Sequence, residues 1–263
     1  MKKSVCFGFC SLFAASSFAA DTADLAKQLS NPVAAMISVP FQFNYDENIG
    51  ANEDIERYQL NIQPVVPISL NEDWNLISRT VLPVVVQTYG DSAKDDDWGT
   101  GDTVQSLFLS PKEPGPGGII WGFGPAMLLP TASEKTLGAD QWGLGPTGVV
   151  LKQMNGWTFG ALANHIWAVE HKDNAEGVSS TFVQPFITYT YPNSVTIALN
   201  SEATYDWNSE DSTIPINLNV TKIVNLSGQL ISVGGGVRYW AEDTTGSAKD
   251  WGGRLQATFI FPK

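Results

Sequence analysis

Cysteine is nearly absent, and both copies, Cys6 and Cys10, fall in the first ten residues of a 263-residue chain. That stretch has the layout of a secretory signal. Lys2 and Lys3 form a charged start, Val5 to Ala15 a short apolar core, and Ser17-Phe18-Ala19 a small-residue cleavage region. The expected division is a signal peptide over 1–20 and one domain over 21–263, in which 21–32 is a short polar periplasmic lead. The apolar run is shorter than the ~20 residues a spanning helix needs, so cleavage is favoured over an anchor. The exported chain then has no cysteine, which excludes disulfides, thiolate metal sites and a cysteine nucleophile. Basic residues are also few. Without Lys2 and Lys3 the 15 fall to 13 against 27 acids, moving the formal charge from −12 to −14. A phosphate backbone needs the opposite sign, so nucleic acid is not an expected partner. No later apolar run could span a bilayer as a helix. Membrane insertion would therefore require a closed barrel, whose strands pair every backbone group without water.

What the chain does have is alternation. Val195, Ile197 and Leu199 take one parity and Thr196 and Asn200 the other, and Tyr58, Leu60 and Ile62 alternate with Arg57, Gln59, Asn61 and Gln63. About twelve such segments follow one another, starting near Val33, Ile55, Trp74, Thr103, Gly118, Gln141, Trp157, Thr181, Ser194, Thr213, Gln229 and Asp250. Period two fits a soluble sandwich as well. Two features favour the membrane. Odd-numbered connections, such as 46–54 and 90–101, are long and hold most of the acids, whereas Gln153-Met154-Asn155-Gly156 and Tyr191-Pro192-Asn193-Ser194 are tight. Long external loops alternating with short periplasmic turns is the barrel pattern. The nine tryptophans also fall at segment ends: Trp74, Trp121 and Trp157 at one, and Trp98, Trp142, Trp167, Trp207, Trp240 and Trp251 at the other. Interfacial indoles make the girdles of such barrels. The expected fold is all-β, a closed antiparallel transmembrane β-barrel of about 12 strands in the outer membrane of a Gram-negative cell, among lipid and lipopolysaccharide. Nine prolines in or beside segments, among them Pro40, Pro83, Pro125, Pro146, Pro185 and Pro215, demand bulges or partial pairing.

Several stretches carry a family likeness. They include Leu76-Ile77-Ser78-Arg79-Thr80, Gly101-Asp102-Thr103, Leu107-Phe108-Leu109-Ser110-Pro111, Ile120-Trp121-Gly122-Phe123-Gly124-Pro125 and Trp142-Gly143-Leu144-Gly145-Pro146. Gly160-Ala161-Leu162-Ala163-Asn164-His165, Gln184-Pro185-Phe186, Pro215-Ile216-Asn217-Leu218, Trp251-Gly252 and Phe261-Pro262-Lys263 continue it. Together these resemble the MetA-pathway-of-phenol-degradation family, often labelled simply "transporter", over nearly the whole exported chain. The resemblance implies an outer-membrane barrel of transporter-like type. It brings no catalytic residues and does not name a substrate.

Four arginines lie inside segments: Arg57, Arg79, Arg238 and Arg254. With the barrel closed in chain order they fall on one arc of the wall. The lumen is their expected side, because an arginine facing lipid at mid-membrane costs ~2–4 kcal/mol. Asp102 and Glu202 sit on other staves, so the six residues are candidates for a charged constriction that orients a polar or anionic solute. The alternative is that these charges pair and plug the bore. The repeated Trp-Gly-x-Gly-Pro and the run Gly234-Gly235-Gly236 read as kinks or close backbone approaches rather than binding loops. His165 and His171 are the two histidines, neither beside a nucleophile-elbow serine, and six residues apart they make a poor metal pair. The expected function is a channel or facilitator for small solutes, aromatic or otherwise hydrophobic compounds among them, with no cofactor, no metal and no enzymatic role. The rivals are a barrel enzyme of lipase or acyltransferase type and a structural or surface-binding barrel with a plugged lumen. Orientation is testable: a thiol label on Asp96→Cys should react on intact cells and one on Asn155→Cys should not, and the reverse result would invert the topology.

Overall fold

The computed structural model describes residues 22–50, 53–90, 96–169, 177–242 and 248–262. The predicted signal segment, His171 and the loop acids Asp91 and Asp95 lie outside the described residues. Fifteen strands follow in chain order: β1 (Ile37–Ile49), β2 (Ile55–Ile62), β3 (Val65–Ser69), β4 (Trp74–Thr88), β5 (Asp97–Thr100), β6 (Thr103–Pro111), β7 (Ile119–Leu129) and β8 (Gly143–Met154). Then come β9 (Trp157–Ala168), β10 (Ser179–Thr190), β11 (Val195–Ser201), β12 (Ala203–Asp206), β13 (Asp211–Leu226), β14 (Gln229–Glu242) and β15 (Asp250–Phe261). All pairings are antiparallel between neighbours, and β15 returns to β1 through nine pairs from Ile37↔Phe261 to Tyr45↔Gly253. The sheet is thereby closed, with no edge exposed to lipid.

Twelve staves make this ring, because β2 with β3, β5 with β6, and β11 with β12 are each one path interrupted midway. Prolines account for all three interruptions. Pro64 itself separates β2 from β3, and Pro215 sits opposite Glu202 between β11 and β12, where Glu202 N–H reaches Pro215 O at 3.4 Å. At Pro64 the pairing with β1 and β4 keeps its register, and at Glu202 so does that with β10 and β13. On its other side Pro215 adjoins a bulge, where β13–β14 pairing steps from Ile214↔Glu242 to Pro215↔Trp240. The third is a true bulge. β4 pairs Val84↔Thr100 but Val81↔Val104, so one extra residue enters at Gly101–Asp102 opposite Pro83. Side-chain parity flips there: Asp97 and Gly99 face inward before it, and Val104, Ser106 and Phe108 after it.

The two Gly-Pro motifs meet face to face, with Pro125↔Pro146 paired between β7 and β8. The outer ladder of each strand is broken at the same level, since β6–β7 lacks pairs between Ser106↔Ala126 and Leu109↔Phe123, and β8–β9 between Leu144↔Trp167 and Thr147↔Asn164. The backbones crowd there. A Cβ on Gly124 would lie 1.9 Å from the Leu107 carbonyl oxygen, and one on Gly145 1.7 Å from that of His165. These glycines are backbone-approach sites, as the motif suggested.

Outside, the even residues of β11's neighbour β13 and the odd residues of β9 and β11 present Leu218, Val220, Phe159, Ile197 and Leu199 to lipid, all exposed. Aromatic pairs rim this band: Trp74 against Trp121 and Trp157 against Tyr189 at the turn end, and Tyr205 against Trp207 and Tyr239 against Trp251 at the loop end. Eight tryptophans lie on the outward parity. Trp240 departs from the expected girdle, because it shares the inward parity of Arg238 and its indole donates to Asp46 at 3.0 Å.

The lead before β1 is not merely polar. Residues 22–29 form a helix whose Leu25, Ala26 and Leu29 make one apolar stripe against Ile223, Leu230 and Ile260, lumen-facing residues at the turn ends of β13, β14 and β15. On the opposite wall, four to six staves away, Gln153 of β8 donates to the Lys27 carbonyl at 2.8 Å. Past the helix, Val33 packs into a second buried cluster with Ile77, Phe108, Val149, Leu151 and Leu162. The segment therefore crosses the turn-end mouth and is anchored on both sides, and β1 starts at Ile37 rather than near Val33 because 31–36 is spent reaching the wall.

Crowding separates the glycines into two kinds. Gly124→Ala or Gly145→Ala should lower the yield of heat-modifiable folded barrel sharply, whereas Gly148→Ala, whose Cβ would have nothing nearer than 3.8 Å, should fold normally. Equal yields for all three would refute it.

Candidate functional site: the charged lumen

Parity puts all four segment arginines on the lumen wall, on staves adjacent or next-adjacent to β1. Their surroundings divide them into two kinds. Arg254 is buried. Its Nε donates to Asn44 Oδ1 at 2.8 Å, and its two terminal nitrogens donate to the two oxygens of Glu202 at 3.0 and 2.8 Å. This bidentate pair crosses the bore, since Glu202 stands three staves from β15. Arg238, also buried, donates to Asp46 at 3.0 Å and lies over the Trp240 ring at 4.9 Å. The opposing Asp46 oxygen takes the indole N–H, and Gly252 leaves the space, because a Cβ there would stand 2.6 Å from that carboxylate.

Arg57 and Arg79 are held by amides instead. Arg57 places two nitrogens on Gln87 Oε1 at 3.0 and 2.7 Å, and Arg79 donates to Gln63 Oε1 at 3.1 Å. Neither makes an ion pair among the described residues. The four arginines thus share two carboxylates: Arg254 and Arg238 hold them in ion pairs, and Arg57 and Arg79 feel Asp46 and Glu202 only at longer range.

Asp102 does not join the arginines. The bulge turns it inward, where one carboxylate oxygen accepts the Ala132 N–H at 3.1 Å and the other the Ala139 N–H at 2.6 Å. It holds the 130–142 connection down over the loop end of β5, where Ser133 Oγ accepts the Thr100 N–H at 3.1 Å. The six candidates therefore do not form one constriction: five concern the arc and its bridge, and Asp102 is a loop anchor. Asn44, Asp46, Gln63, Gln87 and Trp240 went unrecognised in the sequence. Asp46 looked like part of a loop because β1 runs three residues further, to Ile49, through a bulge against β2. Its parity with Gln42 and Asn44 was the available signal.

Three cavities occupy the bore. One, about 220 Å³, lies on the N-terminal segment and reaches Arg79 and Arg254. A second, about 400 Å³, lies on the loop side and is more apolar, with Val81, Val104, Leu128 and Ile166 in its wall. The third, about 230 Å³, surrounds Asp46, Arg57 and Arg238. Gln42, Gln63, Arg79, Gln184 and Glu202 border both of the first two, and so mark the neck between them. His165 is outside, on the lipid-facing parity. Its Nδ1 lies 2.6 Å from Thr181 Oγ1, which also accepts the Trp207 indole, and its ring packs on Trp167 at 4.0 Å.

A closed ring of twelve antiparallel staves with an apolar outer band, two aromatic rims and its charges turned inward is an outer-membrane β-barrel. Among solved structures the chain is similar to an outer membrane channel from Pseudomonas putida F1, with TM-score 0.67, 15% identity and coverage of 86% of this chain and 96% of that one. A looser likeness, TM-score 0.45 at 11% identity over 85% and 96% of the two chains, is to outer membrane phospholipase A from Escherichia coli, and it has no bearing on function. No family model and no curated protein matches the chain.

Replacing Glu202 with Gln removes the counter-charge of a buried arginine, a change that costs about 3–5 kcal/mol. Arg79→Gln removes one hydrogen bond from a charged donor to an amide, worth about 1.5–3 kcal/mol. Urea unfolding of the micelle-bound barrel should rank Glu202→Gln well below Arg79→Gln, and the opposite order would contradict the pairing.

Proposed function

We propose that the barrel is a channel or facilitator for small solutes, and that it admits compounds with an apolar body, aromatic ones among them. The carrying observation is the neck at Arg79, whose guanidinium makes no direct ion pair among the described residues and borders a more polar cavity on one side and a more apolar one on the other. A barrel built only to span a membrane has no use for that arrangement. The likeness to a solved channel supports the reading at the level of fold, and the resemblance to the MetA-pathway-of-phenol-degradation family agrees with an apolar cargo. We read the chain as non-enzymatic: His165 bonds to a threonine that is itself engaged by Trp207, and no carboxylate hydrogen-bonds its ring among the described residues.

The N-terminal segment favours a second reading, a barrel with a closed lumen, because it fills the turn-end mouth between two apolar clusters. Planar-bilayer recordings separate the two. The channel reading expects small discrete conductance steps, larger ones in Val33→Asp, where a charge is forced into the cluster that anchors the segment. Arg79→Gln should move the reversal potential in a salt gradient toward cations. Replacing Arg254 and Glu202 together with Gln should leave it nearly unchanged, since that pair is already neutral. An absence of conductance in both wild type and Val33→Asp would select the closed barrel.

A further inference from the structure

The loop-side cavity has more definition than a passage requires. Its wall has one basic residue, Arg79, and the hydrocarbon of Val81, Val104, Leu128 and Ile166 beside it. Its volume, about 400 Å³, is within the ~300–1,000 Å³ typical of small-ligand pockets, which combine mostly apolar walls with a few placed polar groups. Of the five N–H donors on the Arg79 guanidinium, one is engaged among the described residues, by Gln63 at 3.1 Å. The two acids on the wall are otherwise committed. Glu202 presents both oxygens to Arg254, and Asp102 presents both to loop amides. A planar fork with free donors matches a carboxylate, and the neighbouring surface offers water-excluding contact to whatever the carboxylate is attached to.

We infer that this cavity is a binding site for a small carboxylate with a compact apolar body, the carboxylate on Arg79 and the body on Val81, Val104, Leu128 and Ile166. As a step in passage it rests on the channel reading; the binding itself does not. Acetate has the charge without the body, and toluene the body without the charge, so both should bind weakly.

Fluorine NMR of 4-fluorobenzoate with the refolded, detergent-bound full chain tests this. Wild type should bind, and benzoate should displace the probe while acetate at the same concentration should not. Arg79→Gln should weaken binding roughly tenfold or more, the loss expected for charge-assisted hydrogen bonds. Arg79→Lys should fall between, and Leu128→Gln should weaken 4-fluorobenzoate without Arg79 being touched, so the test survives if Arg79→Gln fails to fold. 4-Fluorotoluene should bind wild type and Arg79→Gln alike. No binding to wild type, equal binding to wild type and Arg79→Gln, or displacement by acetate as effective as by benzoate would each overturn the proposal. Conductance recorded on the same preparation keeps the two readings apart: binding without conductance sinks the channel and leaves the site, and conductance without binding does the reverse.

Discussion

The bridge from Arg254 to Glu202 is the interaction on which the interior depends. A twelve-stave bore is narrow, and hydrocarbon surrounds it, so charges carried by the strands turn inward and find polar partners there. Arg254 and Glu202 do this across the lumen rather than between neighbouring strands. Asn44 is held by the remaining Arg254 nitrogen, so the bridge also fixes the inner face of β1 beside the closing β15. Prolines flank the acid, Pro215 opposite it and Pro185 beside its other neighbour, Gln184, and the local ladder is correspondingly loose. The ion pair holds the wall at a place where the backbone ladder is interrupted.

That same bridge makes Arg79 distinctive. With Glu202 and Asp46 paired to Arg254 and Arg238, and Asp102 to a loop, Arg79 makes no direct ion pair among the described residues. Its charge persists at the neck by elimination, and the neck is where the polar and apolar cavities meet. The selectivity and recognition proposed for this barrel would follow from how the other charges are paired. The N-terminal segment occupies the turn-end mouth through side-chain packing and the Gln153-to-Lys27 hydrogen bond, and among the described residues it has no strand ladder to the wall.

Much of this was legible in advance. Strand starts at Ile55, Trp74, Trp157, Gln229 and Asp250 coincide with the alternation, since a half-buried strand writes its two faces into sequence with period two. Inward placement of the arginines followed from the same rule. What stayed hidden depended on contacts between distant residues. Nothing near Glu202 points to Arg254, because the bridge spans 52 positions and the bore. Trp240 read as a girdle indole because an aromatic at a strand end has two faces to choose from, and Asp46 decides which. The stripe of Leu25, Ala26 and Leu29 was too short to signal that the lead enters the lumen; two apolar wall clusters give it a destination that only the closed ring creates.

A double-mutant cycle on Arg254→Gln and Glu202→Gln, read by urea unfolding in micelles, tests the bridge most directly. The account predicts that each single change destabilises the barrel strongly and that the double mutant is more stable than their sum, with a coupling well above the ~0.5 kcal/mol scatter of independent sites. Additive effects would mean that the two charges do not meet across the lumen, and that the bore is organised some other way.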